Sequence, residues 1–208
     1  ETTGLSKEND RITEIGAVKV ENGKVTQRWG TFVNPERPIP PKIVELTSIT
    51  DEMVADAPKI EEILPEFFKF CKGCTLVAHN ASFDTGFMKI AAKRCGTEYN
   101  FGHVDTLQLA RCLYPEMGNH TLNNLTKHLK IVLENHHRAV DDAKATADIF
   151  IKMLGKLKED GKTDIGLLNE QFDLRSASKR GRANHIILLA KNLNGIRNIY
   201  EMVTASHL

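Results

Sequence analysis

Asn22-Gly23 stands between two β-rich runs, residues 12–20 and 25–33. Asn-Gly is the strongest short-range signal for a hairpin, because a tight two-residue turn needs positive φ at both loop positions. The chain beyond this hairpin reads differently. Pro35, Pro38, Pro40 and Pro41 interrupt regular structure, and residues 51–57 then read as a short helix. After Pro58, the side chains Ile60, Ile63, Leu64, Phe67 and Phe70 recur at helical spacing. Residues 75–78 form a short apolar strand. Residues 82–95 read as a helix with Phe83, Phe87, Ile90 and Ala91 on one face. Two further helices are expected at 106–113 and 122–129, and the longest at 139–157. A hairpin followed by helices alternating with a short buried strand predicts an α/β fold, a mixed sheet flanked by helices.

The 208 residues suffice for one α/β domain, or one domain plus a fragment of another. Residues 166–208 carry six Lys/Arg against three Asp/Glu, whereas residues 1–165 carry 22 against 24. The polar stretch from Lys158 to Asp164 contains Gly161, a plausible helix stop, so a boundary is expected near residue 165. The tail offers a strand at 186–190 and a helix at 196–203, a single β–α unit too small to fold alone. The formal net charge of +1 argues against a binder driven by charge alone. No run approaches the roughly 20 apolar residues of a membrane span, and no secretory signal opens the chain. Four cysteines do not make a disulfide scaffold, so a reducing cytoplasm is expected. The chain opens on Glu1 rather than methionine and reads as an internal piece of something longer.

Three acidic spots stand out. They are Glu1-Thr2-Thr3-Gly4, the strand–helix junction His79-Asn80-Ala81-Ser82-Phe83-Asp84, and His136-His137-Arg138-Ala139-Val140-Asp141-Asp142-Ala143 before the longest helix. Open α/β sheets place ligands where a strand's carboxyl end meets a helix. Asp84 falls in the first turn of its helix, with Ser82 as the expected N-cap. Taken alone, Asp84 answers the helix dipole and nothing more. Helical geometry separates the last two aspartates. Asp141 shares its face with Lys144, Ala145, Asp148 and Lys152, and Asp142 with Ala145, Thr146 and Ile149. An aspartate on the inward face needs a hydrogen bond, a partner or a metal, so Asp142 is the functional candidate. His137 and Asp142 would diverge by roughly 140° on one continuous helix. They act together only if His137 sits in the loop before it. Either His136 or His137 fits that loop by position alone.

Together, and in this order, the three segments resemble the DnaQ-like 3′→5′ exonucleases of the DEDDh type. That family carries Asp-x-Glu-Thr-x-Gly, then Asn-x-x-Phe-Asp, then His-x-Ala-x-x-Asp-Ala. The resemblance implies a ribonuclease H-like fold and a metal-dependent exonuclease that removes nucleotides from DNA 3′ ends. It implies Glu1, Asp84 and Asp142 as ligands of two Mg²⁺ or Mn²⁺, and His137 as the base. The family's first Asp falls two positions before Glu1 and is not in this sequence, which implies an impaired site. All-oxygen ligands suit these hard cations. Two cations would relieve the repulsion of clustered carboxylates, activate water and stabilise the leaving oxygen.

A narrower resemblance covers more of the chain. Glu1 to Ser6, Glu45 to Thr50, Val77 to Asp84, Asp105 to Arg111 and His136 to Ala139 are similar to the exonuclease of PolC-type replicative DNA polymerases. In these enzymes it is inserted within a PHP domain. Residues 184–192 and 195–200 resemble the PHP segment that follows. This implies an exonuclease domain over residues 1–165, a connector and partial PHP segment over 166–208, and proofreading beside the rest of the polymerase chain. The family packs the terminal nucleotide on positions matching Thr2, Thr3, Gly4, Leu5, Leu46, Thr47, Ile49, Asn80 and Phe83. Core packing is the alternative for Leu5, Leu46, Thr47 and Ile49. A separate exonuclease subunit, an RNA-trimming relative and a non-catalytic tethering module are the competing readings. The PHP-like tail argues against the first two, and retention of the acidic residues argues against the third.

The remaining features have plainer readings. Cys71-Lys72-Gly73-Cys74 lies at a helix end, the wrong end for a thioredoxin-like pair, and is expected to pack. His79 reads as a structural histidine and Asp105 as a helix cap or a support for the site. Arg175, Lys179, Arg180 and Arg182 fit either phosphate contacts or a solvated connector.

Overall fold

The computed structural model describes residues 1–132 and 138–159. The tail beyond residue 159, with its expected domain boundary, PHP-like unit and basic run, lies outside the described residues, as do His136 and His137. Strands β1 (Glu14–Glu21) and β2 (Lys24–Phe32) pair antiparallel. Their turn is Asn22-Gly23 with φ of 53° and 74°, the left-handed pair such a turn requires. Helices α1 (Pro41–Thr47), α2 (Asp51–Ala55) and α3 (Ile60–Phe70) follow. Strand β3 (Leu76–Ala78) leads into α4 (Ala81–Arg94). Strand β4 (His103–Asp105) runs parallel to β3 and leads into α5 (Thr106–Leu113). Helices α6 (Leu122–His128) and α7 (Ala139–Glu159) complete the described chain.

Two expectations need correction, the single sheet and the cap of α4, and two elements are added. The single mixed sheet is, among the described residues, two separate pairs, β1–β2 antiparallel and β3–β4 parallel. The parallel pair spans only three residues per strand. Strand β4 and helix α1 were not foreseen, although Pro41 occupies a first-turn position where its missing N–H costs nothing. The N-cap of α4 is Asn80, in the left-handed region, and not Ser82.

Two hydrophobic clusters hold the elements. The first joins Ile15 of β1 and Val33, just after β2, to Ile63, Leu64 and Phe67 of α3 and Phe87 and Ala91 of α4. Trp29 of β2 meets the Phe67 ring at 5.2 Å. The second joins Leu109 and Leu113 of α5, Leu125 of α6, and Ile149, Phe150 and Met153 of α7. A small third cluster, Ile39, Ile49 and Val54, seats α1 and α2.

Helix α7 also presses its first turn on the hairpin. A β-carbon at Gly16 would fall 2.1 Å from the Ala139 carbonyl carbon, and one at Gly30 would fall 2.2 Å from Val140 Cγ2. Only glycine admits that approach.

Candidate active site

The segment carrying Glu1 is held by main-chain bonds to residues 11–14. Thr3 N donates to Arg11 O at 2.8 Å, and Thr13 N donates to Glu1 O at 2.9 Å. Thr2 forms an isolated bridge with Ile12. Thr3 is buried; its hydroxyl accepts from Arg11 N and donates to Asp10. Gly4 lies so close to Asp10 that a β-carbon would fall 2.4 Å from Oδ2. These contacts hold the turn, and Leu5 then stands 82% exposed.

Asp84 is exposed in the first turn of α4, above Phe87 and Ala91 of the core. Asn80 adopts φ 66° and ψ 50°, and its N–H donates to Asp105 Oδ1 at 3.0 Å. The same oxygen accepts from Leu107 N at 2.9 Å. Asp105 therefore caps α5 and also holds the junction in front of Asp84. Crowding by protein atoms raises the Asp84 pKa from 3.8 to about 6, and the charges of Asp105 and Glu1 add to the rise. Its own N–H opposes that rise. Glu1 and Asp84 are thus within electrostatic reach of one another.

That shift has a sign that a melt can check. A carboxyl with a folded pKa near 6 takes up a proton on folding between pH 3.8 and 6. Its contribution is most favourable below pH 3.8 and is lost as pH rises through about 6. In the metal-free protein, Asp84→Asn should raise Tm at pH 7 and flatten the decline in Tm above pH 4. Solvent access keeps the effect modest. Calorimetric melts showing the same pH profile with and without Asp84 would count against this assignment.

Asp142 lies in the first turn of α7. Its Oδ1 is sealed from solvent, and Ala145, Thr146 and Ile149 on its side of the helix are buried. Glu14 fixes the start of this helix, a role the sequence did not disclose. Its carboxylate accepts from Arg138 and from Ala139 N. No group of three or more His, Cys, Asp or Glu side chains converges on a metal-binding point among the described residues. Chemically, the donors suit a hard divalent cation. Glu1 and Asp84 are carboxylates whose mutual repulsion a cation would relieve.

The nucleotide-packing candidates separate by exposure. Leu5 and Leu46 are open, at 82% and 57%. Ile49 is closed inside the cluster of Ile39 and Val54, and Thr47 is buried and bonded to Ile43 O, so both pack the protein itself. Phe83 is half-buried, its ring tilted against that of Phe87 with centroids 5.0 Å apart. His79 Nδ1 lies 3.1 Å from Thr106 Oγ1, and burial lowers its pKa, as suits a neutral structural histidine. Cys71 is buried at the end of α3, and burial lifts its thiol to about 11, so it is no reactive thiolate.

The chain belongs to the exonuclease family, whose model matches residues 1–150. Over its full length it is 48% identical to the PolC-type DNA polymerase III of Caldanaerobacter subterraneus subsp. tengcongensis, and 49% identical to that of Clostridium perfringens. It spans only 15% and 14% of those two proteins. Among solved structures it is similar to exonuclease X in complex with 5′ overhanging duplex DNA. There the TM-score is 0.61 and the identity 34%, over 75% of this chain and 88% of that one. The fold is shared with the nuclease domain of 3′hExo, a DEDDh family member bound to rAMP. The TM-score is 0.61 and the identity 18%, covering 74% of this chain and 84% of that one. No helix among the described residues is long and apolar enough to cross a membrane.

Proposed function

We propose that this chain is the proofreading exonuclease of a PolC-type polymerase, removing nucleotides from a frayed DNA 3′ end. One observation carries the reading: the whole chain is 48% identical to a PolC-type DNA polymerase III, and the exonuclease model matches residues 1–150, which include Glu1, Asp84 and Asp142. Glu1, Asp84 and Asp142 hold Mg²⁺ or Mn²⁺, and their charge favours cation binding as pH rises through the Asp84 pKa. When bound, such cations polarise water and stabilise a leaving oxygen. His137 takes the proton from that water. Leu5 and Leu46, both open, pack the terminal nucleotide, while Thr2, Thr3, Gly4, Asn80 and Phe83 shape the turns around it.

The match runs over the whole chain, tail included. This supports an exonuclease domain over residues 1–165 followed by a PHP segment over 166–208, as part of a longer cytoplasmic polymerase chain. It favours that reading over a separate subunit or an RNA-trimming enzyme.

The test extends the chain upstream to include an Asp two positions before Glu1. The extension should raise Mn²⁺ affinity by calorimetry. It should also speed the shortening of a 5′-labelled single strand from its 3′ end. Equal affinity with and without that Asp contradicts the two-cation reading.

A further inference from the structure

Glu14 is only 4% exposed, which is unusual for a carboxylate. Its carboxylate is turned toward one place, the start of α7. Oε1 accepts from Arg138 Nε and Nη2, both at 3.1 Å, and Oε2 accepts from Ala139 N at 3.1 Å. Arg138 also lies over the Phe32 ring at 5.1 Å. Ala139 opens α7, three residues before Asp142. On the other side of Glu14, the main chain of its own strand grips the segment carrying Glu1. Thr13 N and Glu14 N donate to Glu1 O at 2.9 and 3.4 Å. A single buried residue therefore ties together the two segments that carry Glu1 and Asp142.

We infer that Glu14 is a positioning residue for hydrolysis, setting the separation of the Glu1 and Asp142 carboxylates. This rests on the reading above that both hold the cation. Charge, shape and donor count all match the task. A carboxylate gives two acceptors to three N–H groups at the start of a helix, where negative charge is favoured. Glutamine keeps the shape but turns one acceptor into a donor that faces donors, and leaves Arg138 without its counter-charge. The first turn of α7 would then shift on β1 and carry Asp142 with it.

The experiment uses the upstream-extended chain. Glu14→Gln should lower kcat and Mn²⁺ affinity by roughly 10–100-fold each, the range for residues that orient metal ligands. KM for a single-stranded oligonucleotide should stay within about twofold, because the nucleotide contacts lie elsewhere. Arg138→Ala removes two of the three bonds from the open side, and should produce the same pattern more weakly. The double variant should be no worse than Glu14→Gln, since the two changes break one connection. If Glu14→Gln does not fold, Arg138→Ala carries the same readouts. A variant that melts earlier but keeps its kcat and Mn²⁺ affinity well below its Tm overturns the inference. Asp142→Asn in the same chain separates the two failures. If it loses Mn²⁺ while Glu14→Gln keeps full activity, only the positioning role falls. If it keeps Mn²⁺, the ligand set falls and takes the positioning role with it.

Discussion

Asp142→Asn should abolish hydrolysis in the upstream-extended chain, whereas Asp141→Asn should leave most of it. The two side chains are adjacent, chemically identical and both half-buried, so only the helix face distinguishes them. Ala145, Thr146 and Ile149 on the Asp142 side are 1%, 7% and 0% exposed. On the Asp141 side, Lys144 and Asp148 form a half-buried pair at 3.0 Å, and Lys152 reaches out to Leu129 O. Asparagine preserves the volume of aspartate and removes its charge, so the comparison isolates the carboxylate. Single-turnover assays at saturating Mn²⁺ make the measurement. Loss of activity in Asp141→Asn with retention in Asp142→Asn means the functional phase of α7 is displaced by one residue.

The second large effect belongs to His137. His137→Ala should slow hydrolysis by roughly 10²–10⁴-fold, the usual loss when a general base is removed. The base must be unprotonated to accept a proton, so the wild-type rate should rise with pH through the histidine pKa. That limb should disappear in His137→Ala. Mn²⁺ affinity should barely change, because the ligands proposed above are carboxylates. His136→Ala should be mild. A pH–rate profile in which His136→Ala is the damaged variant reassigns the base to His136.

What was legible in the chain was mostly local. The Asn22-Gly23 turn declares itself because two adjacent positions must tolerate positive φ, and the hairpin around it follows. The first-turn positions of Asp84 and Asp142 were legible too, and so was the buried face that Asp142 shares with Ala145, Thr146 and Ile149. Non-local features were not. The β4 segment is three residues long and owes its conformation to β3, which is far away in sequence. Asn80, not Ser82, starts α4, because a left-handed Asn at a strand–helix junction leaves no periodic trace. Glu14 looked like one more strand residue, since its partners lie 124 and 125 residues further on. Ile49 matched a family position, yet the fold of α1 and α2 encloses it.

The glycines beneath α7 bear on how this domain tolerates change. At Gly16 the first turn of the helix meets β1 main chain to main chain, and at Gly30 only Val140 intervenes. The closest approach there is therefore limited by peptide atoms, whose dimensions do not vary from one sequence to another, and Glu14 holds the helix against that stop. Leucine–methionine or isoleucine–leucine exchanges in the two large clusters can alter volume and thermal resistance without redefining that spacing. The interior is thereby free to drift toward the working temperature of its host, while the ruler under α7 keeps its length.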